Sequence, residues 1–362
     1  MIRIAHVIGC FLLLGWQIGY ASSRVCEKVV LYSSIDQHGD SLTLSGKVSI
    51  PVATPAKGII LLTHYTIASN QEVPSACTPY EAKPLRDNYV LIMPDYIGYG
   101  ATSDRFPPYL HGELTARNCV DMLPVAQAIM DSMQVNLLCD SLHIVGFSQG
   151  AATALWTLKL LEEQYSEQIH LKQCMIGSGP YDVAATYDVS VALNKTGMPM
   201  AIPLLVLGTN TAYDLQLDSE RIFTPTMNSQ VDKYIVSKKY GLISLAMRMP
   251  NHAVSHWLSE YGRDKTQPET KRMYEGFLRS SLVHYPVDDC PVGAESILPD
   301  WTPETPLFVF HSTKDDIVPF RNAEHLRRYY ADVPTITWDL GNYGGHLKSL
   351  FVFLSRVKEQ LK

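Results

Sequence analysis

Positions 29–34 and 42–50 alternate apolar with polar side chains, the period of two expected of paired, half-buried strands. Asp36, Gly39 and Asp40 mark the turn between them. The alternation then gives way to short continuous apolar runs at 59–63, 89–93, 142–145, 174–176 and 306–310, the pattern of strands buried on both faces. A last strand is expected at 335–340. Helical spacing separates these runs. Segment 113–133 carries Leu123, Ala126, Ile129 and Met130 on one face, with a bend expected at Pro124. Further helices are predicted from Ala151 to Tyr165, over 320–330 and over 347–361. Strands alternating with helices predict an α/β fold, a mostly parallel, doubly wound sheet with reactive residues at the carboxyl ends of its strands.

From about 184 to 300 this alternation lapses. Helical segments near 230–249 and 271–282 stand among Pro-rich connections, and the apolar stretches 202–207 and 240–249 need cover. The expectation is a largely helical cap insertion at 184–300, folded over the site of a core made from 24–183 and 301–362.

The ends of the chain and its charge narrow the setting. Arg3, the apolar Phe11-Leu12-Leu13-Leu14 and the small residues in Gly19-Tyr20-Ala21 read as a signal peptide over 1–23, hence export to a periplasmic or extracellular space. An uncleaved anchor over 4–21 is the alternative; once the signal is cleaved, no stable membrane insertion is expected. The net charge is −6 and no run of Lys or Arg occurs, which argues against nucleic acid as a partner. Outside the signal, which holds Cys10, stand Cys26, Cys77, Cys119, Cys139, Cys174 and Cys290. An even number in an exported chain permits disulfides, and the spacing selects no pairing. Nothing in the sequence speaks to the oligomeric state.

The chemistry gathers around Leu142–Ala152, Leu-His-Ile-Val-Gly-Phe-Ser-Gln-Gly-Ala-Ala. An apolar strand runs into Gly146-Phe147-Ser148-Gln149-Gly150 and then into a helix, the context in which Gly-x-Ser-x-Gly becomes a nucleophile elbow. A serine alcohol needs an adjacent base, and the base needs an acid that holds its tautomer. Both follow in chain order. The strand at 306–310 leads to Asp315, and the strand at 335–340 leads to His346, each at a carboxyl end.

With these residues in place the chain resembles the α/β-hydrolase superfamily from Val29 to its C-terminus, and is most similar to secreted lipase/esterase-type members. Gly-Phe-Ser-Gln-Gly matches the elbow, Asp315-Asp316-Ile317-Val318-Pro319 the acid loop, and Gly344-Gly345-His346 the histidine loop. Pro94-Asp95-Tyr96-Ile97-Gly98-Tyr99-Gly100 with Pro108-Tyr109-Leu110 is similar to a segment of secreted lipases and of peptidase-like relatives. The resemblance implies hydrolysis of a small-molecule carboxylic ester through an acyl-enzyme on Ser148, with His346 as base and Asp315 as its orienting acid. It calls for neither metal nor organic cofactor. Many relatives carry His-Gly after the third strand where this chain has His64-Tyr65-Thr66. The oxyanion hole is then expected from the N–H groups of Gln149 and Tyr65. Tyr96, Tyr99, Tyr109 and Tyr181 follow strands beside the elbow and are expected to line the substrate pocket.

Other readings compete. Asp316 and Asp182 are alternative acids. His64 and His311 are read as residues that orient loops, His143 as a satisfied buried histidine and Asp95 as a structural loop residue. His252 and His256 have metal-ligand spacing on a helix but lack a Glu beside His252 and a third ligand nearby. A serine peptidase of the same fold is a rival function; Asp214, Asp218, Glu220 and Asp232 would be its amino-terminus anchors. A non-catalytic binding protein is a rival of another class.

Overall fold

The apolar runs become the strands of one sheet, in a computed structural model that describes residues 24–249, 251–264, 266–286 and 295–362. The expected signal peptide with Cys10, and Cys290, lie outside the described residues. The strands are β1 (Val25–Ile35), β2 (Ser41–Pro51), β3 (Ile59–Thr63), β4 (Val90–Pro94), β5 (Leu142–Phe147), β6 (Leu171–Gly177), β7 (Leu307–Ser312) and β8 (Ile336–Gly341), in the order β1-β2-β4-β3-β5-β6-β7-β8. β1 and β2 form the antiparallel hairpin, with Val30 opposite Gly46, and β2 lies antiparallel to β4. Every later pairing is parallel. The α/β-hydrolase fold expected from the motifs is therefore the fold observed.

A period of two in a strand buried on both faces sends alternate residues into two different cores. Ile59, Leu61, Val90, Ile92, Ile144, Ile176 and Val309 enter one core. It is covered by α1 (Gly112–Asp121), α2 (Leu123–Ser132) and α3 (Gln149–Tyr165), together with Leu326 and Tyr330 further along the chain. Their sequence neighbours Ile60, Leu62, Leu91, Met93, Val145, Met175 and Phe308 enter the other, under Leu350, Phe353, Leu354 and Val357. The helix expected over 113–133 is two helices that meet at Met122, because Pro124 sits in the first turn of α2, where its missing N–H is not needed.

Between β6 and β7 the chain makes seven helices among the described residues: α4 (Val183–Leu193), α5 (Ala201–Tyr213), α6 (Ser219–Ile222), α7 (Pro225–Val231), α8 (Leu242–Arg248), α9 (Asn251–Trp257) and α10 (Pro268–Ser280). They enclose a core of their own, with Tyr187, Phe223, Trp257, Tyr274 and Phe277 buried, and Ala68 and Tyr109 from the sheet's loops packed into it. The continuous helix expected near 230–249 is instead α7, a wide turn over Asp232–Val236, and α8. The break falls at Lys238, whose backbone is left-handed (φ 50°) and whose ammonium donates to the carbonyls of Gly98, Ser103 and Arg105. Lys238→Met removes a charged donor from three carbonyls at once. A loss of about 1–2 kcal/mol of stability is expected, visible as a lower urea midpoint; an unchanged midpoint would show that the ammonium anchors nothing.

After β7 come α11 (Arg321–Tyr330) and, after β8, the closing α12 (His346–Gln360). No described helix is long and apolar enough to cross a membrane. The five described cysteines outside the signal, Cys26, Cys77, Cys119, Cys139 and Cys174, are free thiols.

The strand order carries the functional geometry. The chain steps from β3 out to β4, then back across β3 to β5 and onward to β8. The direction of winding reverses between β3 and β5, so the carboxyl ends of those two strands flank the crevice where open α/β sheets bind ligands. His64 follows β3 and Ser148 follows β5.

Candidate active site

Ser148 is the single residue between β5 and α3, with φ 57° and ψ −126°, a conformation costly for any side chain but glycine. The turn is held from both sides. Ser148 N–H donates to the Gly177 carbonyl of β6 at 2.8 Å, and Thr63 Oγ1 at the end of β3 donates to the carbonyls of Val145 (3.1 Å) and Gly150 (2.8 Å). The two elbow glycines are steric necessities. A Cβ on Gly146 would stand 2.2 Å from the Gly150 carbonyl oxygen, and one on Gly150 2.1 Å from that of Thr63.

His346 opens α12 and turns its ring back to this serine, Nε2 lying 2.9 Å from Ser148 Oγ. Its Nδ1 lies 2.7 Å from Asp315 Oδ2 on the loop after β7. Asp315 is buried, and its other oxygen accepts from the N–H groups of Ile317 (3.0 Å) and Val318 (2.8 Å). Burial pushes this carboxyl upward, but the charge and hydrogen bond of His346, then His311 and the Val318 N–H, outweigh it and hold Asp315 below the ordinary carboxylate range. An ionised Asp315 keeps the proton on His346 Nδ1 and leaves Nε2 to accept from the serine hydroxyl. The sequence thus brings Asp315, His346 and Ser148 together from three strand ends.

The competing acids have other partners. Asp316 Oδ1 accepts from the backbone N–H of His346 at 2.8 Å and so seats the start of α12. Asp182 is fully buried between two histidine rings, His284 Nδ1 at 2.9 Å and His325 Nδ1 at 2.6 Å, and caps α4 through the Ala185 N–H. Burial raises its carboxyl, and the two histidines bring it below the usual range.

The loop after β3 is more tightly tied than its sequence suggests. Tyr96 stacks on His64 with ring centroids 4.0 Å apart, its hydroxyl donating to the His64 carbonyl at 3.3 Å. His64 Nδ1 contacts the Tyr65 carbonyl at 2.7 Å, and burial keeps this ring neutral. The Tyr65 N–H does not face the serine as expected; it donates to Glu81 Oε1 at 3.1 Å. Glu81 lies on the single helical turn Tyr80–Ala82 and is 1% exposed. Since the peptide is trans, a Tyr65 carbonyl turned to His64 turns the Thr66 N–H the opposite way. Gln149, as the first residue of α3, has an N–H without an intrahelical acceptor.

The four pocket tyrosines part company. Tyr96 and Tyr181 are members of the main sheet core. Tyr99 donates to the Ile67 carbonyl, and Tyr109 joins the helical insert's core with its hydroxyl 2.7 Å from Thr66 Oγ1. Tyr96, Tyr99 and Tyr109 are thus each tied to the loop after β3, at His64, Ile67 and Thr66.

His311 Nε2 contacts the Val318 carbonyl at 3.1 Å and braces the acid loop; Asp95 accepts from Ser45 Oγ and the Ser75 N–H. His143 differs from expectation. It is only half-buried, edge-on to Tyr89, and its Nδ1 has no partner among the described residues. His256 is exposed, the His252 side chain lies outside the described residues, and no described cluster of His, Cys, Asp and Glu is arranged to hold a metal. Asp214, Asp218, Glu220 and Asp232 all face solvent rather than converging on a pocket.

A family model described as secretory lipase matches residues 79–354. The fold is similar to that of the rice cell wall degrading esterase LipA from Xanthomonas oryzae, at 20% identity over 93% of this chain and 88% of that one, with a TM-score of 0.75. It is also similar to lipase A of Candida antarctica in its closed state, at 17% identity over 93% and 78% of the two chains, with a TM-score of 0.64. No curated protein is significantly similar in sequence.

Proposed function

The chain belongs to the secretory lipase family; from that premise, which makes it an ester hydrolase, we propose that it acts by serine catalysis at Ser148. Ser148 Oγ attacks the acyl carbon while His346 Nε2 takes its proton and returns it to the departing alcohol. Asp315 keeps the imidazole oriented and stabilises its charged form. Water, activated by the same histidine, then releases the acyl group. The oxyanion rests on the Gln149 N–H and on the Thr66 N–H in place of Tyr65. One observation carries this reading: the unbroken Asp315–His346–Ser148 chain of hydrogen bonds at 2.7 and 2.9 Å. A fluorophosphonate probe is expected to label Ser148 alone; a label mapped to another residue would overturn the assignment.

The helices of 184–300 act as a cap in this reading. They meet the loops on both sides of Ser148: Lys238 at Gly98, Glu72 at the Leu242 N–H, and Gly197 at the Asp316 carbonyl. The family is named for secretion, which supports export, with 1–23 as the signal. Acidic residues scattered over a solvent face offer no amino-terminus pocket, so the ester reading stands ahead of the peptidase one.

A capped serine favours small acyl groups. Ser148 and His346 are 6% and 5% exposed. Turnover is expected to be highest on acetyl and butyryl esters and to fall beyond about eight acyl carbons, a length set by typical pocket volumes. A series from acetyl to palmitoyl, run beside aminoacyl amides, measures it; a maximum at palmitoyl, or faster cleavage of the amides, would reverse the conclusion.

A further inference from the structure

Glu81 is a buried carboxylate that the proposed chemistry does not use. It is 1% exposed, and among the described residues no cation pairs with it. One oxygen accepts the Tyr65 N–H, and the other, Oε2, is buried with no hydrogen-bond partner. A buried charge in that position is unfavourable, since only one of the two oxygens is stabilised by a hydrogen bond from another residue. Burial accordingly pushes Glu81 up to about 7, against the weaker pull of its own and the Tyr65 N–H groups. The titratable groups that face it are the phenols of Tyr65 and Tyr96 and the thiol of Cys77, all neutral at ordinary pH and each pushed up by burial first, with Glu81 adding to the effect.

The Tyr65 N–H lies one peptide unit from the Thr66 N–H assigned to the oxyanion. Three side chains lock this turn: Glu81 on the Tyr65 N–H, His64 on the Tyr65 carbonyl and Tyr96 on the His64 carbonyl. Of the three, Glu81 alone can become an anion near neutral pH.

We propose that Glu81 is a positioning residue for ester hydrolysis, whose neutral carboxyl group aims the 64–66 turn at the oxyanion and whose ionised form opposes it. Protonated, the group still accepts the Tyr65 N–H through its carbonyl oxygen, so the turn keeps its shape. Ionised, it sets a second negative charge behind the donor that must stabilise the developing one. At such a separation in a partly buried site, like charges weaken transition-state binding by ~tenfold. Substrate itself is uncharged at the reacting carbonyl, so kcat falls and KM does not.

The inference rests on the serine reading above, and the two fail differently. If Ser148 is not the nucleophile, the fluorophosphonate label maps elsewhere. If Glu81 is not the positioning residue, the label stays on Ser148 and only the pH profile departs from expectation. The wild-type enzyme, assayed on a butyryl ester from about pH 5 to about pH 9, is expected to lose ~tenfold in kcat through a limb centred near 7, with KM steady. Glu81→Gln, which keeps the acceptor and removes the charge, is expected to abolish that limb and match the wild-type maximum. Glu81→Met, which removes both, should show a lower kcat at every pH and no limb. A wild-type profile without the limb overturns the proposal whether or not either variant folds, and so does a limb that survives in Glu81→Gln. Thermal melting supplies the second reading. Because the folded enzyme holds the proton more tightly than the unfolded chain, wild type loses stability as pH rises through the folded value. Glu81→Gln is therefore expected to melt above wild type at about pH 8.5 and level with it only below the ordinary glutamate value of 4.5; parallel curves would overturn the assignment.

Discussion

Replacing Ser148 with alanine is expected to lower ester turnover by about 10⁵-fold or more, because nucleophile and base act as one unit and neither works without the other. The fold has no reason to change. The hydroxyl's partner is His346 Nε2, and the turn itself is held by the Gly177 carbonyl and by Thr63. Alanine at φ 57° carries the same backbone strain as serine, so the melting temperature should stay close to wild type. Ser148→Gly separates strain from chemistry. It should be equally inactive yet more stable by about 1 kcal/mol, since glycine alone adopts that conformation freely. Turnover surviving in either variant, with the preparation shown free of contaminating hydrolases, would remove Ser148 from the mechanism.

Asp315→Asn is expected to cost on the order of 10⁴-fold in kcat, and the local geometry says why. One Asp315 oxygen is tied to the N–H groups of Ile317 and Val318, which accept no substitute for an acceptor. The asparagine carbonyl must therefore take that side, which turns its NH₂ toward His346 Nδ1. The imidazole is then forced to carry its proton on Nε2, facing Ser148, and can no longer accept one. Asp182→Asn should leave turnover within about tenfold of wild type, because its partners are His284 and His325 rather than the catalytic ring. Asp316→Asn, still able to accept the His346 backbone N–H, should do less again. A larger loss from Asp182→Asn than from Asp315→Asn would move the acid to the end of β6.

What could be read in the sequence was local. The apolar runs and their flanking turns located the strands, and a residue just past a strand lies at its carboxyl end whatever the rest of the chain does. That is why Ser148, Asp315 and His346 could be named together. Side-chain commitments made over long separations were not legible. Nothing near Tyr65 announces that Glu81, on another turn, takes the N–H expected to face the oxyanion. Tyr96 and Tyr181 have the composition of a pocket wall, but their rings point into the sheet core. The helix expected through Lys238 has good helical spacing; three carbonyls of a distant loop end it instead. Apolar patterning shows which way a residue faces, whereas the identity of a hydrogen-bond partner depends on the assembled fold.

Asp182 has a consequence for how this architecture diversifies. It stands where the chain leaves the sheet after β6, and its partner His284, 102 positions later, stands just past α10. Asn322 and His325 on α11 hold the same aspartate from the core side. The excursion between them is therefore a closed module: its two mouths are clasped side by side on a core helix, and β6 pairs with β7 whatever lies in between. Lengthening such a module costs little, because loop closure grows only with the logarithm of length. A change in length between the two mouths therefore need not shift the register of β6 against β7.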